Sequence, residues 1–172
     1  MEEGGSEKEV SWWQAIIFGR RPERTLVRII VVVVVLLLMR NYVLLPIRVQ
    51  GPSMLPTYKD HGVNFVNKLA YVFHEPRRGD VVAIRMSGEH VMLMKRIIGQ
   101  PGETVEFRDG HAFINGTQLE EPYVKNPCNW EQEPKSLGSS EYYFVGDNRA
   151  MAIGDHYQGK ASRERIVGKA LR

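Results

Sequence analysis

Between Ile29 and Met39 every position is apolar, about eleven residues without a polar break. At helical rise that length crosses only roughly half of a bilayer's hydrocarbon, and it fits a signal-peptide core or a buried helix just as well. Extended from Leu26 to Leu45 the stretch reaches about twenty residues, enough to span if Arg28 and Arg40 reach opposite interfaces. No small-x-small cleavage site follows, and the arm before the stretch is long for a signal peptide. The β-branched content suits a core strand, but eleven residues is long for one. The pattern predicts one uncleaved membrane anchor over 26–46.

From Ile47 the hydrophobic period shortens to that of strands, so the predicted fold class is mostly β behind a single N-terminal transmembrane helix. Gly62–Lys68 alternates, 71–78 reads as a loop, and Asp80–Arg85 holds a short, fully buried strand. A turn at Ser87-Gly88-Glu89 leads into a strand over Val91–Gly99, with Leu93, Lys95 and Ile97 on one face and Met92, Met94 and Arg96 on the other. Arg78-Gly79-Asp80 reads as a turn before a buried strand rather than an adhesion tripeptide. Asp109-Gly110 and Asn115-Gly116 predict tight hairpin turns, which also accounts for the Asn-Gly-Thr glycosylation match. Residues 120–140, with Pro122, Pro127 and Pro134, are predicted loop-rich, an excursion over the core. Strands are predicted at Glu141–Val145 and again from Ile166 to Leu171.

The 172 residues suffice for one domain plus an anchor, and the formal net charge of +3 is unevenly spread. Arg20, Arg21, Arg24 and Arg28 precede the apolar run, a positive-inside signal that puts the N-terminus in the cytoplasm. No aromatic interleaving or base-reading motif accompanies them, so nucleic acid is not an expected partner. Trp12, Trp13, Ile16, Ile17 and Phe18 suit a short helix on the membrane surface, and a disordered tail fits them equally. The single Cys128 excludes an intrachain disulfide, and no His or Cys spacing suggests a metal or other cofactor.

Candidate chemistry begins at Val49-Gln50-Gly51-Pro52-Ser53-Met54-Leu55-Pro56-Thr57-Tyr58. Pro52 and Pro56 predict a stiff, extended, non-helical backbone around Ser53, next to a glycine that allows close approach. A hydroxyl so placed becomes a nucleophile only beside a base. Lys95, flanked by apolar residues, would be desolvated, which lowers its pKa and frees its amine to accept a proton. A lysine whose stem lies over the sheet while its head stays in water is the ordinary alternative.

Ser53-Met54-Leu55-Pro56-Thr57, Arg78-Gly79-Asp80-Val81-Val82, Lys95-Arg96-Ile97-Ile98-Gly99 with Pro101-Gly102, and Gly146-Asp147-Asn148-Arg149 occur in that order. This series resembles the type I signal peptidases, membrane-bound serine proteases that remove signal peptides, over nearly the whole chain. The resemblance implies a signal-peptidase-like β catalytic domain with Ser53 as nucleophile and Lys95 as general base, the bacterial-type dyad. It also implies an oxyanion held by the Ser53 N–H, with Gly51 unable to add the hydroxyl some members carry. Arg96, Asp147 and Asn148 would be supporting residues, and Val49, Gln50, Met54, Tyr58, Ala83, Leu93 and Met94 the substrate pockets. The expected organisation is a cytoplasmic segment 1–25, the anchor 26–46, and an extracytoplasmic catalytic domain 47–172 with 104–143 as its variable cap. Expected partners are signal peptides of exported preproteins, the bilayer of a bacterial plasma membrane and the export machinery.

The resemblance weakens at one place. After Gly-Asp-Asn-Arg the family continues with a Ser and then Asp-Ser-Arg, where this chain has Ala150-Met151-Ala152-Ile153-Gly154-Asp155-His156. Ala152 takes the place of the Ser that would hydrogen-bond the catalytic amine, and Gly154 and His156 replace the Asp and Arg. Tyr58 replaces a smaller aliphatic residue. A non-catalytic relative that assists assembly of exported proteins is therefore the competing reading. A self-cleaving repressor-type protease lacks support, because a membrane segment and not a helix-turn-helix precedes the domain.

Overall fold

The protein is described here by a computed structural model over residues 22–86, 92–126 and 128–171. It forms two compact units, Met1–Asn41 and Tyr42–Arg172. In the first, helix α1 runs over Pro22–Leu38 and passes into a π-helical turn at Met39–Val43. Proline suits the first turn of a helix, where its missing N–H would have had no partner. Arg24–Val43 is 20 residues long with mean hydropathy 2.3 and no part of it buried, so it is long and apolar enough to cross a membrane. A helix satisfies its backbone polar groups internally, as lipid requires. The aromatic segment around Trp12 lies outside the described residues.

The helical stretch ends before the predicted anchor does. Leu44–Arg48 is strand β1, which pairs antiparallel with β2 (Val63–Asn67). Pro46 cannot extend a helix and is tolerated in β1 because that strand lies at a sheet edge. Strands β3 (Val81–Arg85) and β4 (Met92–Gly99) follow, then β5 (Thr104–Arg108), β6 (His111–Ile114) and β7 (Thr117–Gln118). The last four are β8 (Gln132–Ser136), β9 (Glu141–Val145), β10 (Gly159–Ser162) and β11 (Ile166–Ala170). They form two antiparallel sheets, one ordered β1-β2-β11-β3-β4-β9-β10 and the other β7-β6-β5-β8. The mostly-β expectation holds.

Local chemistry explains most of this. Val81 to Ile84 are all buried, as a run of consecutive apolar residues demands. Asp109 and Gly110 have φ of 48° and 76°, and Asn115 and Gly116 have 51° and 79°, the left-handed pairs that close tight hairpins. The loop-rich expectation for 120–140 needs correction, because β8 lies inside it. Pro134 hid that strand, yet β8 is an outer strand of its sheet, where a missing N–H costs no ladder bond. Strand β10, four residues beginning with glycine, also carries no sequence signal. The Ser87-Gly88-Glu89 turn lies outside the described residues.

Three buried clusters fill the second unit. Ile98, Val105, Phe107, Trp130, Tyr143 and Val145 join the two sheets, and Val82, Ile84, Ile97, Tyr142, Phe144 and Ile166 line the larger one. Val49, Met54, Tyr58, Val81, Met94 and Ala170 lie beneath the Ser53 segment. Gly99 faces the second sheet, beside an irregularity in the β4–β9 register. A Cβ there would come within 2.5 Å of Val105 Cγ2, 2.8 Å of Leu137 Cδ1 and 2.9 Å of Tyr143 Cβ. Gly99→Ala is therefore expected to destabilise the domain by about 1–3 kcal/mol through overpacking. Denaturant unfolding monitored by tryptophan fluorescence measures this, and an unchanged midpoint would show that the sheets part without cost.

Candidate active site

Ser53 sits in a 3-10 turn over Pro52–Met54, not in extended chain. The expected non-helical backbone is corrected because Pro52, at the start of the turn, presets the φ it needs, and Leu55 N–H closes it onto the Pro52 carbonyl at 3.0 Å. Gly51 before it has φ of 94°, a conformation that suits glycine, and its N–H donates to Asp60 Oδ1 at 2.7 Å. The turn drives Met54 into the core, where it is 1% exposed, and leaves the serine hydroxyl outside.

The β9 end clamps this turn. Asn148 N–H donates to the Ser53 carbonyl at 3.0 Å, and Asn148 Nδ2 to the Pro52 carbonyl at 3.1 Å. Close approach requires Gly146, since a Cβ there would overlap the Ser53 carbonyl oxygen. From β4, Lys95 reaches the same place, and its Nζ donates to Ser53 Oγ at 2.5 Å. Lys95 is 2% exposed. Burial pulls its pKa down to about 8, against the opposing pull of the Asp147 carboxylate. An amine tuned this way is able to accept a hydroxyl proton near neutral pH.

Next along β4, Arg96 points into a buried carboxylate. Its Nε donates to Asp147 Oδ1 at 2.7 Å and its Nη2 to Oδ2 at 2.6 Å, while Nη1 reaches the Gly79 carbonyl at 2.6 Å. Thr57 Oγ1 adds a 2.5 Å bond to Asp147 Oδ2, and the Tyr123 ring covers the guanidinium at 3.9 Å. The Arg96–Asp147 pair is thus a bidentate, shielded bridge and not an ordinary surface contact. Arg149 is buried more completely than Arg96. It holds the Gly146 carbonyl through Nε at 3.0 Å and meets Glu121 with both terminal nitrogens, the Nη1 bond measuring 2.9 Å. Glu121 also accepts from the Tyr123 hydroxyl at 2.7 Å. Neither Glu121 nor Tyr123 was anticipated from sequence.

A cleft of about 470 Å³ opens at Ser53 and Lys95, walled by Leu45 to Gln50 and by Met92 to Met94. Of the expected pocket residues, Val49, Gln50, Leu93 and Met94 line it. Met54, Tyr58 and Ala83 do not: all three are buried, Met54 and Tyr58 in the cluster under the Ser53 turn. A larger depression of about 730 Å³, between the 109–111 turn and residues 118–128, includes neither Ser53 nor Lys95. Among the described residues no group of three or more His, Cys, Asp or Glu side chains is placed to hold a metal.

The expectation for Ala152 is corrected as well. Ala152 is exposed and lines a separate hollow with Cys128, Asn129 and Met151, away from the cleft. A short 3-10 turn over Ile153–Asp155 then brings His156 inward, 3% exposed. Burial, with the positive charges of Lys95 and Arg149, pulls its pKa down to about 3, so the imidazole is neutral.

The chain matches the family described as signal peptidase, peptidase S26, over residues 23–172. It is 33% identical over 141 residues to signal peptidase I of Leptolyngbya laminosa, covering 77% of this chain and 70% of that one. With signal peptidase I T of Bacillus subtilis it shares 35% over 141 residues, 76% of this chain and 73% of the relative. The Bacillus amyloliquefaciens signal peptidase I shows 36% identity over 144 residues, with shares of 76% and 73%. A crystal structure of a signal peptidase I from Enterococcus faecalis aligns with a TM-score of 0.47 at 28% identity, covering 57% of this chain and 97% of that one. The match begins in the apolar helix and runs through the Ser53, Lys95 and Asp147 segments to the end of the sequence given, and on that extent the chain belongs to the signal peptidase S26 family.

Proposed function

We propose that the protein is a membrane-bound serine endopeptidase that removes signal peptides from exported preproteins through a Ser53–Lys95 dyad. The observation that carries this reading is the 2.5 Å contact between Lys95 Nζ and Ser53 Oγ, made by a buried lysine that lines an open cleft. The altered stretch from Ala152 to His156, which favoured a non-catalytic relative, leaves that contact in place.

Substrate would enter as an extended strand. Strand β4 pairs with β3 along Met92–Arg96, but β9 joins it only from Arg96 onward. Its edge over Met92–Lys95 faces the cleft, and β1 is an outer strand of the same sheet. A peptide laid between them gains main-chain hydrogen bonds and presents alternate side chains to Ile47, Val49, Leu93 and Met94. Such apolar walls suit small uncharged residues before the cut.

Ser53 Oγ attacks the scissile carbonyl carbon as Lys95 takes its proton, and the Ser53 N–H steadies the oxyanion. Lys95 then returns the proton to the departing amine, the C–N bond breaks, and an acyl-serine remains. Water, deprotonated by the same lysine, adds to the ester and releases the carboxylate product and the serine hydroxyl. Arg20, Arg21, Arg24 and Arg28 support a cytoplasmic N-terminus and a catalytic domain outside a bacterial plasma membrane, where preproteins leave the export machinery.

Ser53→Ala and Lys95→Ala are each expected to abolish preprotein cleavage without unfolding the domain. Their losses should not add, because nucleophile and base act as one unit. Near-normal cleavage by either variant would refute the dyad. Because only the neutral amine is a base, single-turnover cleavage should climb about tenfold per pH unit below about 8 and level off above it. A flat profile with chemistry limiting would contradict a lowered Lys95 pKa. For the topology, protease added outside intact spheroplasts should digest the domain after Pro46, and full protection would reverse the orientation.

A further inference from the structure

His156 is buried, and neither of its ring nitrogens makes a hydrogen bond of full geometry, although the Ser53 backbone already acts on the ring as a loose hydrogen-bond partner. Leaving a buried donor unmatched is costly, so such a group in a native site calls for a reason. Its surroundings are specific. The ring lies against Trp130 at 4.8 Å between centroids and 70° between planes. On its other side is the bare α-carbon of Gly146, where a Cβ would come within 2.6 Å of His156 Cε1 and 2.7 Å of Nε2. The same missing Cβ would overlap the Ser53 carbonyl oxygen. Nε2 and that carbonyl therefore converge on one glycine.

We propose that His156 is a positioning residue for Ser53, its Nε2–H donating to the Ser53 carbonyl oxygen beside the Asn148 N–H that already holds it. This inference rests on the Ser53–Lys95 reading above. The carbonyl has two lone pairs, and Asn148 takes one at 3.0 Å. Hydrogen bonds of this kind are often loose in an empty site and tighten around bound substrate. Two donors on one carbonyl fix the peptide that carries the hydroxyl, and so the direction in which Oγ meets Lys95. The neutral ring holds one proton to donate, and it adds no charge beside Lys95 and Arg149, the two cations acting on it.

The test is single-turnover cleavage of a purified preprotein by the full-length enzyme in detergent, comparing wild type, His156→Phe, His156→Gln, His156→Asn and a Ser53→Ala control. His156→Phe keeps the packing on Trp130 and the exclusion of water from Lys95 but loses the donor. It should lower kcat about two- to tenfold while KM and the acidic limb of the pH profile stay put. His156→Gln, whose amide reaches the place of Nε2, should recover most of the rate, and the shorter His156→Asn should not.

An unchanged kcat in His156→Phe would overturn the proposal. So would a limb displaced toward the ordinary lysine range, which would mean that the ring only keeps Lys95 dry. If His156→Phe does not fold, equal rates in the Gln and Asn variants overturn it, and a faster Gln variant upholds it. Wild-type activity in Ser53→Ala would instead remove the dyad itself, before any His156 variant is judged.

Discussion

Two opposite charges almost wholly withdrawn from water organise the second unit. Asp147 has no exposed side-chain surface and Arg96 has 11%. Separating them would strand a charge in a low-dielectric interior, which costs several kcal/mol, so every segment that satisfies them is held in place. Strand β4 contributes Arg96, the end of β9 contributes Asp147, and the chain following Ser53 contributes Thr57. Gly79 adds a carbonyl from the turn before β3. Ser53 and Lys95 lie one step away from these anchors, so their 2.5 Å contact is a by-product of closing the ion pair.

The second sheet is tied into the same lattice by residues 121–123. Tyr123 lies flat on the Arg96 guanidinium, and its hydroxyl donates to Glu121, whose carboxylate meets Arg149. Burial and the Glu121 charge push the Tyr123 phenol above its usual range, so it remains a donor. Arg149 returns to the Gly146 carbonyl, next to the serine turn. Residues 121–123 thereby connect, through Arg149, to the Gly146 backbone beside the Ser53 turn.

Sequence reasoning reached the parts of this arrangement that are local. The Asn115-Gly116 turn, the buried run from Val81 to Ile84 and the strand that carries Lys95 each announce themselves within a few residues. It went astray where distant contacts decide. Pro52 and Pro56 suggested extended chain, but a proline also opens a 3-10 turn, and only the buried Met54 selects that alternative. Pro134 argued against a strand that an edge position permits. The acid partner of Arg149 carries no local signal, because the structure supplies it from 28 residues upstream. Ala152 lies outside and His156 inside because the 3-10 turn between them packs Ile153 against the core, and the residue facing inward then follows from the turn and not from alignment.

The buried amine of Lys95 has a thermodynamic side separate from its chemistry. In the unfolded chain this lysine titrates near its ordinary 10.5, and in the folded protein near 8. Where the unfolded state binds more protons, stability rises with pH, so the window from about 8 to 10.5 is one of increasing stability. Below it both states carry the proton, and folding bears a constant penalty on the order of 3 kcal/mol for desolvating the charge. Against a total stability of about 5–15 kcal/mol for an ordinary domain, that is a large fraction committed to one side chain. Replacing Lys95 by methionine, similar in length and uncharged, would return that energy to the fold. The proposed base is a residue that the domain would be more stable without.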